Sequence, residues 1–210
     1  NAIALPIITE TDETNESSFT YQDIYLFCQD QEVADRVILD FLNRQDTHRN
    51  VANSANQYEI LFSPMRIDGY VLSLFGNSIL HQGGNHPIVE CQSANYNMFT
   101  GEVLTLGSIL KSNDAHARIS EELQLVAESV ADVKQLYPDY SQVIKDRFNQ
   151  NPSFDEEWFF SSTGLSFYFE PYEIAPYTAG VITLEIPYNQ LIGLIDDSFF
   201  PYTFCVDNAF

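Results

Sequence analysis

The segment Phe167–Tyr188 places three prolines within twenty-two residues, and this restricts the fold more than any other part of the chain. Each of Pro171, Pro176 and Pro187 fixes its own φ and lacks a backbone N–H. The residues between the first two prolines therefore fit neither the interior of a helix nor a central strand. We predict a stiff, irregular loop, with Gly180 letting the chain reverse into a following strand. The simplest interpretation is a rigid connection between strands, and the alternative is the rim of a binding surface.

Helical periodicity appears in three other segments. Apolar residues recur every three to four positions from Gln31 to about Asn50, directly after Asp30, which suits an N-cap. A second helix is predicted from about Asp114 and is ended by Pro138. Its apolar stripe consists of Ile119, Leu123, Val126, Val130 and Val133. A shorter helix is predicted over about 140–149.

Strand patterns fill much of the remaining sequence, and they do not alternate regularly with the helices. Turn dipeptides predict hairpins at Asp68-Gly69, Thr100-Gly101 and Thr163-Gly164, each between β-prone runs. The polar run Glu10–Ser18 is predicted to be a loop. Strands mixed with a few helices, without β-α-β repetition, predict an α+β fold.

Acidic residues greatly outnumber basic ones. Thirty Asp and Glu residues stand against nine Lys and Arg, which gives a formal net charge of −21 over 210 residues. Such a chain repels the phosphate backbone, so we expect no nucleic-acid partner. It attracts cationic partners, although the same charge also fits a role in solubility alone.

No apolar run approaches the roughly 20 residues that span a bilayer. The sequence begins at Asn1 rather than at a methionine. We therefore expect a trimmed sequence, from which any signal peptide, lipid anchor or membrane helix has been removed. The wide spacing of Cys28, Cys91 and Cys205 fits no zinc or redox motif, and both one disulfide with one thiol and three reduced thiols remain open.

Catalytic motifs are incomplete throughout the chain. Glu170 and Glu173 lie beside tyrosines, but a glycosidase needs two carboxylates roughly 5 to 9 Å apart, and sequence spacing does not establish this. The sequence contains no nucleophile elbow, phosphate loop or dinucleotide fingerprint. We therefore predict a protein that is not an enzyme and needs no cofactor.

Two histidines, His81 and His86, flank a glycine-rich turn. A third zinc ligand with suitable spacing is not apparent, so no metal site is predicted. The sequence Gly83-Gly84-Asn85-His86-Pro87 more simply forms a tight turn, because glycine permits positive φ and proline favours an extended residue before it.

Several motifs together resemble a known family of bacterial extracytoplasmic modules. They are TGEVLTLGSIL, EEWFFSSTGLSFYFEPYEIAPYTAGVITLEIPYNQL and, upstream, LSLFGNSILHQGGNHPIVECQSANYNMFTGEVLTL. The combination of F-x-PYEIAPY-x-AG with IPY-x-x-L is similar to the ectodomain of RsiV-type anti-sigma factors. The same module resembles the accessory region of PdaC-like peptidoglycan deacetylases and many uncharacterised bacterial lipoproteins. Asn85 stands where that family usually has Ala.

The resemblance covers nearly the whole chain and implies two adjoining α+β units, 1–99 and 100–210. It implies a non-catalytic binding or sensing domain in the bacterial cell envelope, outside the cytoplasm, either membrane-anchored or secreted. RsiV is a receptor for lysozyme, so the implied partner is lysozyme, another cationic protein or cell-wall glycan. The alternatives are an accessory domain, either of a cell-wall-modifying enzyme or serving oligomerisation or anchoring without a ligand of its own, and a glycan-acting enzyme that uses Glu170 or Glu173 with a histidine.

Candidate binding residues come from the proline-rich segment and from the glycine-rich turn. In the first we select Tyr172, Glu173, Tyr177 and Tyr188, whose rings and carboxylate would give aromatic contact and acidic attraction. In the second we select Gly83, Gly84 and His86.

Overall fold

The computed structural model describes residues 2–12, 17–52, 57–150, 157–202 and 204. The chain divides into two compact units, residues 1–103 (unit 1) and residues 104–210 (unit 2). Each described part combines helices with antiparallel or mixed sheets, which confirms the α+β prediction. Within the described ranges, none of the helices has both the length and the apolar character needed to cross a lipid bilayer.

Unit 1 is built from seven strands and one long helix in its described part. They are β1 (Ala2–Ala4), β2 (Ile7–Asp12), β3 (Ser17–Gln22), β4 (Tyr25–Phe27), α1 (Gln31–Ala52), β5 (Gln57–Ile67), β6 (Val71–His81) and β7 (Ile88–Asn97). The main sheet has the order β2-β3-β5-β6-β7, while β1 and β4 form a separate pair. Only β3 and β5 pair in parallel; the other described pairs are antiparallel.

The helix α1 supplies one apolar face to the core of unit 1. Val37 and Phe41 are fully buried, and the Phe41 ring meets Phe62 of β5 edge-on at 5.1 Å between centroids. Asp30 caps the helix as predicted, because its Oδ1 accepts the backbone N–H of Glu32 at 2.9 Å. Packing of this face, rather than helix propensity, accounts for most of the helix's stability.

Two predictions for unit 1 need correction. The run predicted as a loop from Glu10 to Ser18 is shorter, because β2 continues to Asp12 and β3 begins at Ser17; residues 13–16 lie outside the described part. The chain after Gly101 does not form the predicted strand. Residues 102–105, where that strand was predicted, have one isolated β-bridge, between Val103 and Tyr96.

The described residues of unit 2 include three α-helices and one three-stranded sheet. They are α2 (Leu106–Ile109), α3 (Asn113–Val130), α4 (Tyr140–Gln150), β8 (Trp158–Phe160), β9 (Gly164–Phe169) and β10 (Ile182–Pro187). The sheet is antiparallel with the order β10-β9-β8. Every residue of β9 is buried, so this central strand is covered on both faces.

The predicted apolar stripe of α3 is only partly correct. Ile119 and Leu123 are fully buried, but Val133 is 87% exposed. The helix ends at Val130, and Gln135 then adopts φ of 55°, so the chain leaves the helix before it reaches Pro138. A stripe extrapolated at constant period fails here because the helix stops earlier than the proline signal suggests.

Candidate functional site

The proline-rich segment forms a tight loop between β9 and β10. We call residues Pro171–Tyr177 the PYEIAPY loop. The backbone N–H of Tyr172 donates to the Ala175 carbonyl at 3.0 Å, and that of Glu173 donates to the Glu170 carbonyl at 3.1 Å. Ile174 is fully buried, and its carbonyl accepts the N–H of Tyr137 at 2.8 Å. The loop is therefore irregular but firmly held, as its two prolines predict.

Tyr172 has an uncommon backbone conformation for a residue with a large side chain. Its φ is 75°, in the left-handed region that costs a non-glycine residue roughly 1 kcal/mol or more. Its side chain is 57% exposed, and its ring lies against Tyr177 with 5.5 Å between centroids. The loop thus holds a strained residue whose ring is mostly in solvent. We call these two residues the tyrosine pair.

The Glu173 carboxylate of this loop already has partners within unit 2. One carboxylate oxygen forms an ion pair with Arg147 of α4, and the other accepts the backbone N–H of Glu170 at 2.9 Å. Arg147 also pairs with Glu157, and its guanidinium lies 4.9 Å from the centre of the Phe169 ring. Glu173 therefore braces the loop, and much of its charge is neutralised within unit 2.

Arg147 was not among the predicted site residues, although the helical spacing contained a signal for it. It lies three residues after Ile144 and one before Phe148, both of which are buried. Positions i, i+3 and i+4 share one face of a helix, so Arg147 points into the same side as the core. A basic residue on a buried face of a chain this acidic suggests an internal ion pair.

The pKa values of Glu157 and Arg147 are both shifted by partial burial. Burial raises the pKa of Glu157 above its ordinary value, while the attraction of Arg147 acts in the opposite direction and the nearby charge of Glu170 raises it further. Burial likewise lowers the pKa of Arg147, opposed by the attraction of Glu157. Desolvation of both charges is thus only partly offset by their pairing.

The raised pKa of Glu157 predicts a pH-dependent contribution to stability. The folded protein binds this proton more tightly than the unfolded chain, so the contribution is fully present below the ordinary Glu pKa and is lost as pH rises through the raised value. The variant Glu157→Gln lacks this contribution at every pH. We therefore expect its free energy of unfolding to increase relative to that of the native protein as pH rises from about 4 to 7. Urea unfolding at several pH values measures this. Glu121→Gln, on the exposed side of α3, is the control, and equal pH profiles for the two variants would contradict the assignment.

The Tyr188 side chain is buried in unit 2 rather than exposed at its surface. It is only 3% exposed, and its hydroxyl donates to the Ser161 carbonyl at 2.9 Å. Its backbone N–H donates to the Thr163 carbonyl at 3.1 Å. Aromatic contact with a partner needs an accessible ring, so the candidate role assigned to Tyr188 does not fit this burial.

The turn beneath Tyr188 is fixed by a carboxylate. Glu185 accepts hydrogen bonds from the hydroxyls of Ser161 at 2.5 Å, Thr163 at 2.7 Å and Ser166 at 3.2 Å. These bonds satisfy Glu185 and close the predicted hairpin turn between β8 and β9, which is confirmed.

The glycine-rich candidates belong to unit 1, where they form the connection between β6 and β7. Gly83, Gly84 and His86 are all exposed, and Gly83 has φ of 81°, as the predicted tight turn requires. The Nδ1 of His86 lies 3.3 Å from the Pro87 carbonyl. The tyrosine pair is in unit 2, so the two predicted groups of site residues occur in different compact units.

Metal-ligating groups do not cluster in the part of the chain that the structure describes, where no set of three or more His, Cys, Asp or Glu side chains is placed to hold an ion. The thiol of Cys28 donates to the Asp30 carbonyl at 2.9 Å, and that of Cys91 donates to Asn77 Oδ1 at 3.4 Å. Cys205 lies outside the described residues.

Comparison with known proteins found one family model that matches part of the chain and solved structures with a similar fold. Residues 108–189, which include the PYEIAPY loop, match the family described as "Protein of unknown function (DUF3298)". No curated protein sequence matches the chain.

Two solved structures are similar over nearly the whole length of the chain. A DUF3298 family protein from Pseudomonas aeruginosa PAO1 has a TM-score of 0.64 and 16% identity, covering 95% of this chain and 96% of that one. A member of the DUF3298 family from Bacteroides fragilis NCTC 9343 has a TM-score of 0.63 and 15% identity, with 94% of each chain covered. At these identities the likeness shows a shared fold.

Proposed function

We propose that this chain is a non-catalytic, extracytoplasmic binding domain that recognises a basic protein through the tyrosine pair. The observation that carries the proposal is the conformation of Tyr172. A residue held at positive φ with its ring mostly in solvent costs stability, and such strain is concentrated at functional sites.

The chemistry of the tyrosine pair suits a protein surface with basic side chains. Tyrosine rings combine a large apolar area with a hydroxyl, and they attract Lys and Arg side chains to their faces. The PYEIAPY loop is already ordered by its prolines and by the Arg147–Glu173 ion pair, so little conformational entropy is lost on binding.

Charge supports the same kind of partner. The net charge of −21 steers a basic protein toward the chain and raises the rate of encounter more than the final affinity. Since Glu173 is paired internally, contact specificity would come from the rings rather than from this carboxylate. The resemblance to RsiV-type ectodomains makes lysozyme the first partner to test and supports a location in the cell envelope.

Titration calorimetry with lysozyme, at low salt and at about 0.15 M salt, tests the proposal. A basic protein of similar charge and unrelated shape is the control. We expect saturable lysozyme binding that persists at the higher salt, with none for the control. Equal binding of both proteins that fades with salt would reduce the interaction to nonspecific attraction.

The variant Tyr172→Gly separates binding from folding. Glycine tolerates positive φ, so relief of strain offsets the lost side chain and stability should change by no more than about 1 kcal/mol. Loss of an exposed aromatic contact should weaken lysozyme binding by about tenfold or more. Tyr202→Ala, at an exposed tyrosine outside the loop, should bind as the native chain does. Unchanged affinity for Tyr172→Gly would remove the tyrosine pair from the interface.

A further inference from the structure

Unit 1 contains a second group of exposed aromatic rings, at a cavity formed by three turns. The cavity has a volume of about 520 Å³ and is lined by Cys28, Gln29, Asp30, Gly69, Tyr70, Met98 and Phe99. These residues come from the segment before α1, the β5–β6 hairpin and the turn after β7. None of them belongs to the candidate residues selected from the sequence.

The rings of Tyr70 and Phe99 form an exposed edge-to-face pair, which we call the Tyr70–Phe99 corner. Phe99 is 64% exposed and Tyr70 is 42% exposed, and their rings meet at 64° with 5.0 Å between centroids. Large apolar side chains with this much exposure cost solvation free energy, and paired rings leave a face and an edge open to a ligand.

The backbone beneath the rings is fixed by side-chain hydrogen bonds. Asn97 Oδ1 accepts the N–H groups of Phe99 at 2.8 Å and Thr100 at 3.3 Å, and Asp68 Oδ1 accepts that of Tyr70 at 2.8 Å. The N–H of Met98 donates to the Tyr70 carbonyl at 2.9 Å and joins the two turns. The rings are therefore presented by a preorganised support.

Close contact with α1 holds the turn after β7 in place. Gly101 has φ of 73°, and a Cβ at this position would lie 3.0 Å from the Val33 carbonyl oxygen, so only glycine fits without adjustment. The Nη1 of Arg36 donates to the Thr100 carbonyl at 2.9 Å.

Asp30 is the only charged residue among those that line the cavity, and it lies at the N-terminus of α1, where the helix dipole offsets part of its negative charge. Its Oδ1 caps α1 by accepting the N–H groups of Glu32 and Val33, and its Oδ2 has no hydrogen-bond partner among the described residues. One carboxylate oxygen thus remains open to a donor from a ligand.

Nearby basic side chains are already paired. Arg36 lies 4.0 Å from Glu32 and donates to a carbonyl, and the Nε of buried Arg66 lies 2.6 Å from Asp68 Oδ2. By contrast, the cavity between α3 and α4, of about 440 Å³, is lined by Lys145 together with Glu121 and Glu128. The cavity of unit 1 therefore lacks a lining cation of its own to neutralise its carboxylate.

We propose that this cavity binds an arginine or lysine side chain of a basic protein partner, between the Tyr70–Phe99 corner and Asp30. Aromatic faces attract a guanidinium or ammonium group, and the open carboxylate oxygen accepts its N–H donors. This inference adds a second contact site, in unit 1, to the proposed function. The identity of the partner is taken from that proposed function.

The test uses the whole chain and short peptides, independently of lysozyme. Acetyl-Gly-Arg-Gly-amide is titrated against the isotopically labelled chain while amide chemical shifts are recorded, and the neutral citrulline analogue is the comparison peptide. We expect saturable shifts at residues 28–30, 68–70 and 97–101 with the arginine peptide and at least fivefold weaker binding of citrulline. Equal binding of both peptides, or no shifts in these ranges, would overturn the proposal.

Two variants separate the rings from the charge. Phe99→Ala removes an exposed ring and should weaken binding of the arginine peptide at least fivefold. Asp30→Asn keeps the cap, because asparagine accepts the same backbone N–H groups, and removes the charge; it should weaken binding about threefold or more. Ile88→Ala, at an exposed position near the opposite end of β7, should bind like the native chain. Native-like binding by Asp30→Asn would contradict the assignment.

A neutral oligomer of N-acetylglucosamine provides a further arm. If it shifts the same amides at lower concentration than the arginine peptide, the cavity is a saccharide site and the proposal fails. Lysozyme binding lost by Tyr172→Gly but not by Phe99→Ala would overturn only this second contact. Arginine-peptide binding without any lysozyme binding would leave the cavity assignment intact and overturn lysozyme as the partner.

Discussion

Gly164→Ala should destabilise unit 2 by about 3 kcal/mol, because the added methyl group has no room. Gly164 begins β9 and is in register with Pro187 of β10. A Cβ at this position would lie closer than 3.0 Å to the Ile186 carbonyl oxygen and carbon and to Glu185 Cγ. Two of these atoms are backbone atoms of a paired strand, so relief requires the sheet ladder itself to shift.

Urea unfolding followed by the fluorescence of Trp158 measures this loss. Trp158 is the only tryptophan in the sequence, is fully buried, and pairs with Phe167 across β8 and β9. Gly69→Ala, in unit 1, has nothing within 4 Å of the added Cβ and should leave the Trp158 transition unchanged. A loss below about 1 kcal/mol for Gly164→Ala would show that β10 moves aside easily.

Arg147→Met should also cost about 3 kcal/mol, through the loss of a largely buried cation rather than through a steric clash. Without Arg147, the carboxylates of Glu157 and Glu173 lose their shared partner in a half-buried position. The contact with the Phe169 ring disappears as well. Removing one member of a buried ion pair costs more than the pair contributes, because the remaining charges stay desolvated.

A triple variant distinguishes this cause from a packing defect. Arg147→Met combined with Glu157→Gln and Glu173→Gln removes all three charges, and we expect it to recover at least half of the lost stability. Arg118→Met, on the exposed face of α3, should change stability by no more than about 0.5 kcal/mol. If the triple variant is no more stable than Arg147→Met alone, the guanidinium acts mainly through packing.

Gly164 and Arg147 both lie in the structure that supports the tyrosine pair. β9 and β10 carry the two ends of the PYEIAPY loop, and Arg147 ties its glutamate to α4. We therefore expect Arg147→Met to weaken binding of a basic protein by disordering the loop, even though Arg147 is not itself a contact residue. Arg147 is in this sense a positioning residue, and Arg147→Lys, which keeps the charge, should retain part of the binding.

Local sequence signals were sufficient for the secondary structure of most of the chain. The 3.6-residue period and Asp30 predict α1, and Asp68-Gly69 and Thr163-Gly164 predict two of the hairpin turns, because these features depend on neighbouring residues. Pro171 and Pro176 predict the irregular loop for the same reason, since each restricts its own backbone. The α+β class follows from the mixture of these elements.

Only the tertiary structure decided which side chains are available to a partner. Tyr172 and Tyr188 have the same residue type and both lie beside prolines, yet one ring is exposed and the other is in the core. Glu173 is neutralised by Arg147, twenty-six positions earlier in the sequence, and the cavity of unit 1 joins turns at Asp30, Tyr70 and Phe99. Burial and pairing depend on contacts between residues far apart in the chain, and local periodicity carries no information about those contacts.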